Sequence, residues 1–389
     1  SLFACETDNL LFAGRCLSAS RIAFSSLRVQ QSLATTGQAD GSAAALCLER
    51  DCRPHDLGDP GPLQQRLLRD DAWLPGVEAD DLARDAHGAV ARASSEAALR
   101  LEPGVDGCDL AARPAALVPV TAGRIERVAL FIDNQEAQAE VRLAVQAARD
   151  LWDLAALDAE PLAVAFAVAE HGSGWTEFAL DRDLPPGPYW LCAEGPDEVL
   201  WRFAEENAPG CCAAHLRPDG TCWFAGGGWS GWQCLALRIE PESRPFAAAQ
   251  AINGYARPGA GANLWVSDPA QALPQWLEVE LPQRTRFDAA LLIFDTNLNR
   301  TNMATPGLFR APECVRDYVL AAEIDGAWQE LARVTDNYHR RREHRFVPVV
   351  ARRVRLTVTA TNGDPSARVY ALRLYDDGRQ AEEGPAHGY

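Results

Sequence analysis

The sequence contains no lysine: all 37 of its basic residues are arginine. A GC-rich genome is the plain origin of such a bias, but it has chemical consequences. Without a lysine amine the chain has neither a Schiff-base nucleophile nor a phosphate-loop lysine, which excludes pyridoxal-phosphate enzymes and Walker-type nucleotidases. Arginine leaves open the planar, bidentate recognition of carboxylates or polyols. Long apolar runs are missing as well. None approaches the roughly 18 residues of a membrane-spanning helix, so no membrane partner is expected. Basic clusters are scarce. The net charge is −17, and the one basic run, His339-Arg340-Arg341-Arg342, sits beside Glu343. Nucleic acid, which needs a clustered basic surface, is therefore excluded as a partner. There is no nucleophile elbow, no H-E-x-x-H and no P-loop. His339 and His344 are the candidate acid–base groups, weighed against solvent-facing histidines paired with a carboxylate such as Glu343.

Cysteine is abundant, with eleven residues, but no C-x-x-C pair occurs. A redox dithiol of that type and a zinc ribbon are not expected. Cys211, Cys212, His215, Cys222 and Cys234 crowd together in sequence, but their spacing matches no standard zinc site, and no metal is assigned. Buried reduced thiols suit a cytoplasmic protein. The 47% apolar and 23% charged fractions are those of a globular chain, and its length allows two or three domains with real cores.

Residues 1–76 form the first unit. Asn9 to Leu48 reads NLLFAGRCLSASRIAFSSLRVQQSLATTGQADGSAAALCL. The apolar Asp8–Arg15 stretch has the look of a parallel strand buried on both faces. Leu27–Glu49 is helical in pattern, with Gly37 and Gly41 on one face at i, i+4 spacing. A second helix is expected over Gly61–Asp70, after a Pro- and Gly-rich turn. A strand ending in Gly14 lets the backbone approach a ligand without a Cβ in the way, Arg15 can meet a polar group, and a helix N-terminus suits an electron-rich edge.

This order resembles the closing segment of bacterial FAD-dependent oxidoreductases of the two-dinucleotide-fold type. Their pattern "N-L-L-x-A-G-R-x-x-S-A-T…R-V…G-Q-A-x-G-x-A-A-A" is met almost word for word. The resemblance implies FAD as cofactor, with Gly14, Arg15, Arg28, Ser32, Leu33, Gly37, Gln38 and Gly41 at its flavin end. Ser32 and Leu33 would offer backbone N–H groups, and Arg28 would lie near the ring or the substrate. Gln30-Gln31 and Thr36 depart from the related fumarate-reductase-like pattern, which has small residues and an aromatic there. The opening half of such a fold, a strand followed by G-x-G-x-x-G, is expected some hundreds of residues upstream. With Ser1 rather than Met at the start, the chain is expected to be the C-terminal part of a larger protein. Its partner would be that N-terminal half or a companion chain.

From residue 77 to 240 short apolar runs such as Arg127–Ile132 and Leu162–Val168 are punctuated by Gly, Pro, Asn and Asp, the pattern of an all-β sandwich. Residues 241–378 form a second one. There Ala251–Trp265 (AINGYARPGAGANLW), Gln275–Leu281 (QWLEVEL) and Arg353–Tyr375 (RVRLTVTATNGDPSARVYALRLY) resemble the discoidin or coagulation-factor type C sandwich, a galactose-binding-like jelly roll. Val90–Glu96 (VARASSE) is similar to the opening strand of that fold and is expected to start the first sandwich. The resemblance implies loop residues Asn253, Arg257, Trp265, Asp295, Asn297, Asn337 and Tyr338 as carbohydrate or polyol ligands, and it allows a structural Ca²⁺. Against this, Asn-Gly and Asp-Asn sequences also make turns, and tryptophans also fill cores.

The expected fold class is thus mainly β, a short α/β flavin-domain remnant followed by two β-sandwich domains, with an acidic, disordered tail at 379–389. Two functions stay open. One is a part of an FAD-dependent oxidoreductase, not redox-active alone, with the sandwiches as substrate wall or homo-oligomer contact. The other is a non-catalytic carbohydrate-binding or scaffolding module.

Overall fold

The computed structural model describes residues 2–4, 6–216, 220–224, 233–298 and 309–378. The expected tail at 379–389 lies outside them. The chain divides into two compact units, Ser1–Asp81 and Leu82–Tyr389.

In the first unit the expected parallel strand is replaced by a fold-back. Phe3 bridges Leu11 in antiparallel fashion, with Phe12 N–H on the Leu2 carbonyl at 2.8 Å, and a 3₁₀ turn follows at Gly14–Cys16. A parallel strand exists only through hydrogen bonds to flanking strands. Among the described residues, Phe3 is the pairing found for this segment.

Helix α1 spans Arg21–Leu27, capped by the Ser20 hydroxyl, which accepts the Ala23 N–H at 3.3 Å. The chain breaks at Val29, which is extended, and α2 runs Gln30–Arg50. Helix α3, Gly61–Arg69, carries Pro in its first turn, where the missing N–H costs nothing. It buries Leu67 and Leu68, while α2 buries Ala43, Leu46 and Cys47. Arg66 of α3 meets Glu49 of α2 at 2.8 Å.

The second unit holds two antiparallel sheets, each folded over by long bent strands. In the first, Arg124–Ala147 pairs along its length with Ala163–Asp183, with a register shift between Asn134 and Gln138. Its early part also pairs Leu237–Glu240, and its late part Gly187–Glu194. One strand therefore serves both layers, and the bulge makes the corner. Between the layers lie Leu130, Val141, Leu143, Phe178 and Trp201.

In the second sheet, Gln275–Phe294 and Arg341–Thr361 do the same, with shifts at Glu280/Thr285 and Phe287/Ala289. Arg368–Tyr375 pairs the late half of Gln275–Phe294, and Val315–Ile324 lies beyond Arg341–Thr361. Trp265, Leu277, Phe294, Tyr318 and Leu356 fill the space between.

Val90–Ala93 does not open the first sandwich. It pairs with Leu277–Glu280 of the second, Leu82 N–H reaches the Leu374 carbonyl at 3.0 Å, and Ala83 and Ala89 sit in the second core. The strands of the first sheet, from Pro103 to Glu240, are thus inserted between the opening strand of the second sheet and the rest of it. Ser94 and Ser95 fasten this strand through the Gln275 amide, the Ser95 hydroxyl lying 2.8 Å from its oxygen.

Candidate functional site

In the first unit, α2 presents two unlike faces. Asp40, Ala43, Leu46 and Cys47 point inward. On the other side lie Ala34, Gly37, Gln38 and Gly41, partly or fully exposed, and Leu48, 84% exposed. A Cβ added at Gly37, Gly41 or Gly14 would meet nothing within 4 Å, so the glycine face of α2 is open. Gly14 has φ +63°, in the left-handed region that glycine favours. Its turn packs against α2.

The first i, i−4 bond of α2 runs from Leu33 N–H to the Val29 carbonyl, 3.0 Å. This corrects one expectation: the Leu33 N–H is already engaged. The helix-start donors that lack an i−4 partner belong to Gln30, Gln31 and Ser32, and Ser32 is exposed. Arg15 lies 5.9 Å over the Phe24 ring. Arg28 is exposed at the end of α1, its N–H on the Phe24 carbonyl. Behind α2 is a cavity of about 450 Å³ lined by Leu2, Phe3, Leu11, Asp40, His55 and Leu63, among others. One Asp40 carboxylate oxygen is buried there without a hydrogen-bond partner, and desolvation raises its pKa.

In the second unit the expected ligand residues converge on one loop end, tied by Arg340. This side chain donates to the Phe294 carbonyl at 2.8 Å and to the Ala256 carbonyl, and it stacks 4.8 Å over Tyr370. Most of the seven residues turn out to be structural. Trp265 is fully buried, and its indole N–H donates to the Ser95 carbonyl at 3.0 Å, so it cannot stack on a sugar. Asp295 is also fully buried. Its carboxylate accepts the Asn297 N–H at 2.7 Å and lies 3.6 Å from Arg368. Desolvation raises its pKa, partly opposed by Arg368.

Asn297 gives its amide to Glu313 at 2.7 Å. Asn337 is buried, donating to the Val315 carbonyl at 2.7 Å and accepting from His339 N–H. Asn253 donates to Asn263 at 2.8 Å, and Asn263 to the Arg257 carbonyl at 2.7 Å. These amides spend their hydrogen bonds on the turns that hold the loops, and Arg257 is half-buried beside them.

Tyr338 is the exception. It is 38% exposed and meets Phe309, 74% exposed, edge to face at 5.7 Å. His339 stacks on it at 4.3 Å. Arg310 sits 5.2 Å over the Tyr338 ring and pairs with Asp336, one contact being 3.0 Å. That pairing holds the Asp336 carboxyl below its ordinary range. Phe309 and Arg310 escaped the sequence reading. An aromatic-arginine pair closing a polar loop was the available signal. No group of three or more His, Cys, Asp or Glu among the described residues is arranged to hold a metal, and no site is assigned to the Ca²⁺ that the resemblance allows. No helix among them is long and apolar enough to cross a membrane.

Residues 1–67 match the family described as FAD dependent oxidoreductase. The N-terminal end of the chain is thus similar to that family in sequence, and antiparallel sheets follow it. No curated protein matches the chain. Among solved structures it is similar to the family 32 carbohydrate-binding module of Streptococcus pneumoniae EndoD, at 20% identity over 34% of this chain and 87% of that one, TM-score 0.28. The family 32 module of Clostridium perfringens NanJ, solved with galactose, gives 19% identity, 33% and 85% coverage and TM-score 0.26. Chitosan-binding module 1 of the Paenibacillus sp. IK-5 chitosanase/glucanase gives 16%, 34%, 86% and 0.27.

Proposed function

We propose that the chain supplies the flavin-facing helix of an FAD-dependent oxidoreductase and completes its cofactor site together with an N-terminal flavin-domain half or a companion chain. The open glycine face of α2, inside the segment that matches the oxidoreductase family, carries this reading. FAD, when bound, supplies hydride transfer. The chain's own residues act on its flavin end. Gly37 and Gly41 leave room for the ring, the first-turn N–H groups of α2 meet its electron-rich edge, and Arg28 orients ring or substrate. The ten described cysteines are free, which supports a cytoplasmic setting.

The chain purified alone is expected to carry no flavin absorbance, because the residues here hold one end of the cofactor. In the complete flavoprotein, Gly37→Leu is expected to abolish FAD retention, and Arg28→Ala to slow turnover more than it loosens the cofactor. A stoichiometrically yellow chain without a partner, or normal activity in both variants, removes the assignment.

A second reading is supported by the exposed Phe309–Tyr338–His339 rings: carbohydrate binding by the loop end, through stacking on a pyranose face with Arg310 near its hydroxyls. After a glycan-array screen, Tyr338→Ala is expected to weaken binding by about 1–2 kcal/mol, the worth of one aromatic contact. An array without hits leaves the sandwiches as assembly or homo-oligomer contacts.

A further inference from the structure

Helix α2 ends in a turn that brings two cysteines together. Asp51 takes the left-handed conformation, φ 49° and ψ 49°. The Asp51 N–H reaches the Leu48 carbonyl at 3.4 Å, and the Cys52 N–H the Cys47 carbonyl at 3.0 Å. This is the Schellman pattern, in which the residues at the two ends of the bond that spans six residues pack side chain on side chain. An apolar pair commonly fills these positions. Here they are Cys47 and Cys52. A main-chain bond of that length keeps the two Cα atoms within about 7 Å, given standard backbone dimensions, and a disulfide closes only inside that distance. Cys52 is also one of the groups that raise the Cys47 pKa. Cys47 is buried and Cys52 half-exposed, so an oxidant from solvent meets Cys52 first.

We propose that Cys47 and Cys52 form a reversible disulfide, with Cys52 as the peroxide-reactive thiol and Cys47 as the thiol that resolves it. The Cys52 thiolate attacks one peroxide oxygen. The S–O bond forms, the O–O bond breaks, and the departing oxygen takes up protons and leaves as water. Cys47 then gives up its proton and attacks Cys52 Sγ. The S–S bond forms, the S–O bond breaks, and a second water leaves. Two thiols lose two electrons and two protons, and the peroxide is reduced to two waters. Burial and the neighbouring Cys52 push the Cys47 thiol up, so resolution should quicken with rising pH. The product bridges the last turn of α2 to the chain beyond it.

Trypsin cuts after Arg50, which places the two cysteines on separate peptides, residues 29–50 and 51–66. The reduced full chain, treated with limiting hydrogen peroxide, is expected to give these peptides linked, about 2 Da below their summed mass for the two hydrogens lost. Dithiothreitol should separate them. Cys47→Ser is expected to leave Cys52 as a dimedone-reactive sulfenic acid. Cys52→Ser should leave Cys47 unmodified at the same peroxide dose. The proposal is overturned if the wild-type chain loses the Cys52 thiol without the linked pair, for example to Cys16 or to a sulfinic acid. It also fails if Cys47 oxidises equally fast in Cys52→Ser. The wild-type measurement stands without either variant.

Discussion

Acidification from pH 7 to pH 4 is expected to remove up to about 3 kcal/mol of stability from the second unit through one histidine, His344. Its imidazole lies inside Arg341–Thr361, with Nε2 2.9 Å from the Tyr318 hydroxyl and the two rings at 5.8 Å. Tyr318 is fully buried and stays protonated, because desolvation raises its pKa. Its hydroxyl pairs with the neutral imidazole of His344. Burial first, then Arg342, hold the histidine pKa down to about 4 from 6.5, against a smaller upward pull from Glu343.

Between those values the unfolded chain binds a proton that the folded chain does not, so stability falls as the pH falls through the window. Above pH 6.5 the contribution is complete. The paired carboxylates of Asp317 and Asp336, whose pKa values are lowered, begin to cost stability only below about 4, near the ordinary carboxylate value. Asp295 acts the opposite way. With a raised pKa, it costs stability as the pH climbs above the ordinary value of 3.8. Denaturant titration of wild type and His344→Gln across pH 4 to 7 separates these contributions. The variant keeps a hydrogen-bond partner for Tyr318 and should lose most of the slope. An identical slope in both would place the pH dependence elsewhere.

Local pattern in the sequence carried the regular elements where neighbours in the chain decide them. The Gly61–Asp70 helix ends within a residue of its expected limit, and Gln275–Leu281 begins the strand Gln275–Phe294. What could not be read depends on partners far away in the chain. Val90–Ala93 looks like an opening strand in either sandwich, and only its pairing with Leu277–Glu280 decides between them. The Asp8–Arg15 run has strand composition, but composition supplies no flanking strand. At the loop end the difficulty is chemical. An asparagine that reads a hydroxyl and one that closes a turn have the same donors and acceptors; Asn253 and Asn337 close turns here, and Asn297 donates to Glu313. Exposure sorts them, and exposure is a property of the fold. The Cys47–Cys52 pair was missed for a similar reason. A search for C-x-x-C passes over a C-x₄-C whose reach comes from a left-handed turn.

Trp265→Ala is expected to destabilise the second sandwich by about 3–5 kcal/mol, the cost of emptying a buried aromatic site. The indole is fully buried, its strand pairs Val369, and its N–H satisfies the Ser95 carbonyl at 3.0 Å. Removal therefore leaves both a void and an acceptor without its donor, and the second loss adds to the first. Ser95 belongs to the network that fastens the opening strand, through the Gln275 amide and the Asp268 N–H. The damage should spread to Val90–Ala93 and appear as lost hydrogen-exchange protection at its pairing with Leu277–Glu280. Tyr338→Ala, at an exposed ring, should leave the denaturation midpoint near wild type. The pair of variants separates core from surface at the same loop end. Wild-type stability in Trp265→Ala together with lost glycan binding would restore Trp265 as a ligand residue. A large loss of stability, with binding by the remaining folded fraction intact, would place it in the core and leave recognition to Tyr338, Phe309 and Arg310.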